Sequence, residues 1–131
     1  MKMKESKEKV VWITGASSGI GEALTYAYSK KNYKIIISSR NKEALEKVKS
    51  NSAHPDLIYV LPLDISLFDE ISEKTKEAIN AFKTIDILIN NAGVSQRSLI
   101  TDTNFEVYKK LMEVNYLGTV ALTKALLSYF I

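Results

Sequence analysis

At 131 residues the chain is long enough for one domain of ordinary size and too short for two, and its 46% hydrophobic and 25% charged residues are those of a folded globular chain. The net charge of +3 lies largely in residues 1–9, a lysine- and glutamate-rich run that reads as a solvated tail, and no Arg/Lys face with interleaved aromatics follows it, so nucleic acid is not expected as a partner. The absence of cysteine excludes disulfides, thiol catalysis and cysteine-bound metal and fits a reducing cytoplasm, while no apolar run approaches the roughly 20 residues of a membrane span or suits a secretory signal.

After the tail, residues 10–13 (Val-Val-Trp-Ile) form a short run, apolar throughout, as expected of a strand buried on both faces. A Gly/Ser turn breaks it, and a helix is expected over about residues 20–31. Residues 34–38 carry Ile35-Ile36-Ile37, a second buried strand, and residues 43–49 read as a helix with a charged outer face. Residues 57–63 make a third strand, with Pro62 near its end, where a missing N–H is tolerated. Ser66 is placed to cap the next helix, which carries Ile71, Ala78, Ile79 and Phe82 at roughly helical spacing. Residues 85–89 form a fourth strand. After a polar loop, Thr103-x-x-Glu106 has the spacing of a capping box, and a helix follows to residue 131, bent near Gly118. Strands alternating with helices imply right-handed crossovers and a parallel sheet. The expectation is one α/β domain over residues 10–131, doubly wound and truncated after about four strands.

Four features lie where such a sheet does its chemistry. Thr14-Gly15-Ala16-Ser17-Ser18-Gly19-Ile20-Gly21 stands between the first strand and its helix. Glycines there permit a tight turn and a close approach of backbone N–H groups to a pyrophosphate, which the helix N-terminus then favours. The second strand ends in Ser38-Ser39-Arg40-Asn41, with no acid before Glu43. An acid at this point would take the ribose 2′-OH of NAD, whereas a guanidinium suits the 2′-phosphate of NADP, so NADP is preferred over NAD. Asp64, in Leu63-Asp64-Ile65, either accepts a hydrogen bond from a bound base or caps the following helix. Asn90-Asn91-Ala92-Gly93 closes the fourth strand, either leaving room for a ligand or making a polar turn.

Taken in order, TGASSGIG (residues 14–21), LDI (63–65), NNAG (90–93) and Asn115 in EVNYLGT resemble the short-chain dehydrogenase/reductase family over nearly the whole chain. The resemblance implies a Rossmann-type fold and hydride transfer between NADP(H) and a small carbonyl or alcohol substrate. It implies that Gly15, Ser17, Ser18, Gly19, Ile20 and Gly21 hold the pyrophosphate side of the cofactor and that Arg40 meets the 2′-phosphate. Asp64 and Ile65 would face the adenine, and Asn91, with Ala92 and Gly93, the adenosine-side ribose. Asn115 matches the Asn of the family's catalytic tetrad, which maintains a proton-relay water. Read on its own, an Asn on an apolar helix is a satisfied buried amide.

The family's catalytic Ser, Tyr and Lys belong to sequence beyond residue 131, so the chain is expected to be inactive alone. Tyr26-x-x-x-Lys30 has the right spacing but lies in the helix straight after the glycine turn, away from the carboxyl ends of the strands. The lone His54 reads as a solvent-exposed loop residue and not a metal ligand. Only the loop of residues 94–101 could add to a substrate pocket. The apolar fourth strand would be an exposed edge and the last helix a dimerising surface, so self-association is expected. The alternatives are a nucleotide-binding module without catalysis and a non-binding interaction or remnant protein.

Overall fold

Each of the four β-branched runs is apolar on both sides, so each is stable only with both faces covered. In the computed structural model, which describes residues 9–93 and 104–130, they form β1 (Val10–Thr14), β2 (Lys34–Ser38), β3 (Ile58–Val60) and β4 (Ile87–Ile89). All pair in parallel, in the order β3-β2-β1-β4. The helices between them are α1 (Gly19–Lys30), α2 (Lys42–Ser50) and α3 (Phe68–Phe82), and α4 (Phe105–Met112) and α5 (Thr119–Phe130) follow β4.

Strand alternation sorts the core into two layers. Val10, Trp12 and Ile36 pack with Ile71 and Ala78 of α3 and Leu122 and Leu126 of α5. Val11, Ile13, Ile35 and Ile37 face the other way, onto Leu45 and Val48 of α2 and Leu24 and Tyr28 of α1. Trp12 is wholly buried, and its indole N–H donates to Ser38 Oγ at 2.9 Å, so its polar atom is satisfied. The doubly wound α/β architecture is therefore as the sequence implies.

Two strands are shorter as ladders than the sequence predicts, yet their pairing runs on. Beyond β3, the N–H groups of Leu61 and Leu63 donate to Ile37 O and Ser39 O, both at 2.9 Å. Pro62 lies between them, where an N–H would point away from β2. Before β4, Asp86 N–H donates to Val10 O, and Val10 N–H returns a bond to the Asp86 carboxylate, each at 2.9 Å. Among the described residues β4 pairs with β1 alone, and its three residues are half-buried.

Two local expectations are corrected and a third is made specific. Ser66 does not cap α3: the capping position is Leu67, and the Ser66 hydroxyl turns back to the Asp64 carboxylate at 2.6 Å. The carboxylate takes the hydroxyl proton and Lys110 Nζ donates to its oxygen, which turns the short side chain away from the helix N–H groups. His54 is half-buried, not exposed, because its N–H donates to Ser29 Oγ at 3.0 Å and holds the loop against α1. The bend at Gly118 is a π-helical turn, Glu113–Gly118, joining α4 to α5. Val114, Gly118, Leu122 and Leu126 are buried at every fourth position across it. Thr103 and the loop of residues 94–101 lie outside the described residues, as do residues 1–8 of the tail. Helix α4 begins at Phe105, after Asn104. Among the described residues no helix is long and apolar enough to cross a membrane, and no group of acidic and His residues could hold a metal ion.

Candidate functional site

The chain leaves β1 for β2 on one side and returns to β4 on the other, so the order of the strands reverses at β1. In open α/β sheets, ligands bind beyond the carboxyl ends of the strands at such a point. An open cleft of about 920 Å³ lies there, within the size range of ligand sites. Its walls come from the glycine turn (Thr14, Gly15, Ser17, Ser18, Ile20), from the segment after β2 (Ser39, Arg40, Asn41, Lys42, Glu43), and from Leu63, Asp64 and Ile65 after β3. Asn91, Ala92 and Gly93 after β4 close it, with Val114 beneath.

The glycine turn is set by contact as much as by conformation. Gly15 has φ +63°, and a Cβ there would lie 2.7 Å from Asn91 O and 2.9 Å from Ala92 Cα. The two segments touch backbone to backbone, and side chains then fasten them. Thr14 Oγ1 accepts the N–H groups of Asn91 and Ala92, both at 3.0 Å, and lies 3.4 Å from Ile89 O, to which it donates. Asn91 Nδ2 donates to Gly15 O at 3.2 Å. A Cβ on Gly21 would overlap the Gly15 carbonyl, so the start of α1 is pressed against the same turn.

Gly19 differs. Its φ is +56°, and no atom lies within 4 Å of where its Cβ would be. The preceding Ser18 sits at the capping position of α1 but makes no side-chain capping bond. The first-turn N–H groups, which have no partner within any helix, are thus left uncapped by it. Beside them Ile20 lines the cleft and is 72% exposed.

At the far wall Arg40 and Lys42 are exposed, and Asn41 caps α2 by accepting the Ala44 N–H at 3.0 Å. Asp64 makes a local turn: its Oδ1 accepts both the N–H and the hydroxyl of Ser66, at 3.0 and 2.6 Å. Burial pushes the Asp64 carboxyl up, but the two bonds from Ser66 and the charges of Lys110 and Arg40 outweigh it and hold its pKa below the ordinary value. Asp64 therefore stays a carboxylate on the cleft wall and is not the capping residue of α3.

Ten of the residues singled out in the sequence line the cleft: Gly15, Ser17, Ser18, Ile20, Arg40, Asp64, Ile65, Asn91, Ala92 and Gly93. Gly19 and Gly21 shape the corner without lining it. Asn115 lies in the π turn and is exposed, which corrects the reading of a buried amide; a Cβ on Gly93 would be 3.1 Å from its Oδ1. The wide turn brings it to the NNAG segment. Thr14 and Ser39 stand in the quoted motifs without a role of their own, and Lys42, which the motifs do not include, also lines the cleft. Tyr26 stands apart from the cleft: its hydroxyl donates to Glu22 at 2.6 Å, and that bond raises its pKa, the reverse of what an acid–base phenol needs.

A model of the family described as short chain dehydrogenase matches residues 9–131. The human "Dehydrogenase/reductase SDR family member 7" is 47% identical over 97% of this chain and 39% of its own length. A short chain dehydrogenase from Bacillus anthracis superposes with a TM-score of 0.89 at 31% identity, over 95% of this chain and 52% of the other. The 3-ketoacyl-(acyl-carrier-protein) reductase from Brucella melitensis, solved in complex with NADH, gives 0.86 at 30%, over 93% and 50%. The chain thus spans about two fifths of its human relative and about half of these solved enzymes. Matched by that family model from residue 9 to residue 131 and superposing on solved members of it, the chain belongs to the short chain dehydrogenases.

Proposed function

We propose that this chain is the cofactor-binding part of an NADP(H)-dependent oxidoreductase acting on a carbonyl or alcohol, and that alone it binds the dinucleotide without turning it over. The observation that carries the reading is the uncapped start of α1, opening into a cleft at the strand reversal. Free N–H groups and a helix dipole favour an anion there. The open space around Gly19 leaves room for a phosphate.

In this reading the N–H groups of residues 17–21, with the Ser17 and Ser18 hydroxyls, hold the pyrophosphate. Gly15, Gly19 and Gly21 let the backbone come close, and Ile20 covers it. Asp64 and Ile65 bound the adenine, while Asn91, Ala92 and Gly93 run beside the adjoining ribose. Bound NADP(H) would supply the hydride. Asn115, exposed beside Gly93, holds a water in the proton path of the longer protein. The single Tyr-x-x-x-Lys spacing of this chain falls on α1, away from the cleft.

Preference for the phosphorylated cofactor rests on Arg40 and Lys42, two cations on the wall where a 2′-phosphate would lie. The Brucella reductase, solved with NADH, is a reminder that the fold itself does not choose. Titration calorimetry with NADPH and NADH tests the reading: NADPH is expected to bind at least about tenfold more tightly, roughly 1.4 kcal/mol. Equal affinities would remove the preference, and no binding of either would remove the function. With carbonyl substrates added, NADPH absorbance should stay constant over the chain alone.

The stretch from the end of α4 through the π turn to the start of α5 exposes Met112, Tyr116, Leu117 and Val120, an apolar patch that supports self-association through a second copy. Light scattering at micromolar concentrations is the check, with a clean monomer as the contrary result.

A further inference from the structure

The turn after β3 is held from a direction that the cleft alone does not explain. Lys110, half-buried on α4, donates from Nζ to Ser66 Oγ at 2.7 Å, and Ser66 Oγ donates in turn to Asp64 Oδ1 at 2.6 Å. The relay runs one way, from ammonium to hydroxyl to carboxylate. With the Ser66 N–H also on it, Oδ1 takes two bonds, which fixes the plane of the carboxylate and leaves Oδ2 as an acceptor. Eight residues further on, Gly118 presses on the same turn: a Cβ there would lie 2.5 Å from Ile65 O and 2.8 Å from Ile65 Cγ1. Positions 110 and 118 straddle Asn115.

We propose that Lys110 is a positioning residue: through Ser66 it fixes the Asp64 carboxylate on the cleft wall, and so ties the helix carrying Asn115 to the base-binding end of the cleft. The inference rests on the nucleotide reading above. Two cations act on Asp64, Lys110 from α4 and Arg40 from the end of β2. Arg40 is exposed, whereas Lys110 is half-buried and joined to Asp64 by a continuous bond path. A ligand that uses Asp64 therefore stiffens the α4 attachment, and loss of the attachment loosens the ligand.

The test is a mutant cycle on the 131-residue chain, with calorimetric affinity for 2′,5′-ADP as the readout. Lys110→Met is expected to weaken binding about tenfold, the size of a lost hydrogen bond to a charged group, and Lys110→Arg to restore most of it. Ser66→Ala, which keeps the cation but cuts the relay, should lose as much as Lys110→Met, and it carries the test if Lys110→Met fails to fold. In a chain already carrying Asp64→Asn, Lys110→Met should have no further effect. A merely structural tether would lower affinity equally in both backgrounds, which would overturn the proposal, as would unchanged affinity in Lys110→Met and Ser66→Ala. If the unaltered chain does not bind 2′,5′-ADP, the nucleotide reading fails first and this inference falls with it.

Discussion

At the corner between β1 and α1, the Asn91–Ala92 backbone passes so close over Gly15 that an added Cβ would lie 2.7 Å from a carbonyl oxygen. At the end of β2, on the opposite wall of the same cleft, Arg40 and Lys42 stand in solvent. The first corner is built from backbone and is also part of the core, so the fold cannot lose it. The second is built from long exposed side chains whose loss the core would not register. On the proposed reading, affinity for a phosphate is placed where it cannot drift, and the choice between two cofactors where it can change by substitution.

Gly15→Ala is the strongest way to break this contrast. It sets a side chain at φ +63° and drives it into Asn91 and Ala92, and strain and overpacking together should cost about 3 kcal/mol or more. Urea denaturation would show it, and a near-normal midpoint would mean that the two segments part easily. Thr14→Val keeps the shape but removes the acceptor for the Asn91 and Ala92 N–H groups. A loss of about 2 kcal/mol is expected, read as a lower melting temperature.

At the other wall the effects should change kind. Arg40→Ala should weaken NADPH binding about tenfold, or about 1.4 kcal/mol, leave NADH binding unchanged and leave the melting temperature where it was. A drop in stability comparable to that of Thr14→Val would erase the distinction between the two corners.

The smallest effect concerns Asp64, which is half-exposed and so screened. Its folded pKa lies below the ordinary 3.8. Its contribution is therefore complete above that value and lost as pH falls through the folded pKa. Denaturation of the parent and of Asp64→Asn between about pH 6 and about pH 3 should give a stability difference that shrinks toward the acid end. A constant difference would mean that the carboxylate's charge contributes nothing.

What was legible in the sequence follows the range of the interactions. The strands and the glycine turn are local, since apolar β-branched runs, a Gly/Ser break and helical spacing sit within a few residues of one another. Those elements came out with the right order and type. Thr14 was passed over because its role depends on N–H groups 77 and 78 residues away, and nothing in a Thr at a strand end announces that distant chain. Ser66 differs for a related reason: a serine before a helix reads as a cap, but its hydroxyl donates to Asp64 and accepts from Lys110, 44 residues away. Asn115 was read as buried because the residues around it are apolar, but the π turn brings it out of the packed face.

That π turn also makes segment length an element of the fold. In an unbroken α-helix, every fourth residue drifts about 40° around the axis, so a row from Val114 to Leu126 would wind roughly a third of the way around it. The wider turn at Glu113–Gly118 takes up part of that drift and keeps Val114, Gly118, Leu122 and Leu126 on the sheet side. Because a π turn spends about one extra residue on the same arc, deleting one residue from it would restore ordinary winding and leave α5 facing nearly the same way relative to α4. Leu122 and Leu126 would then stay on the sheet side, so this stretch should accept the loss of a single residue better than α4 or α5, where a deletion turns everything beyond it by about 100°.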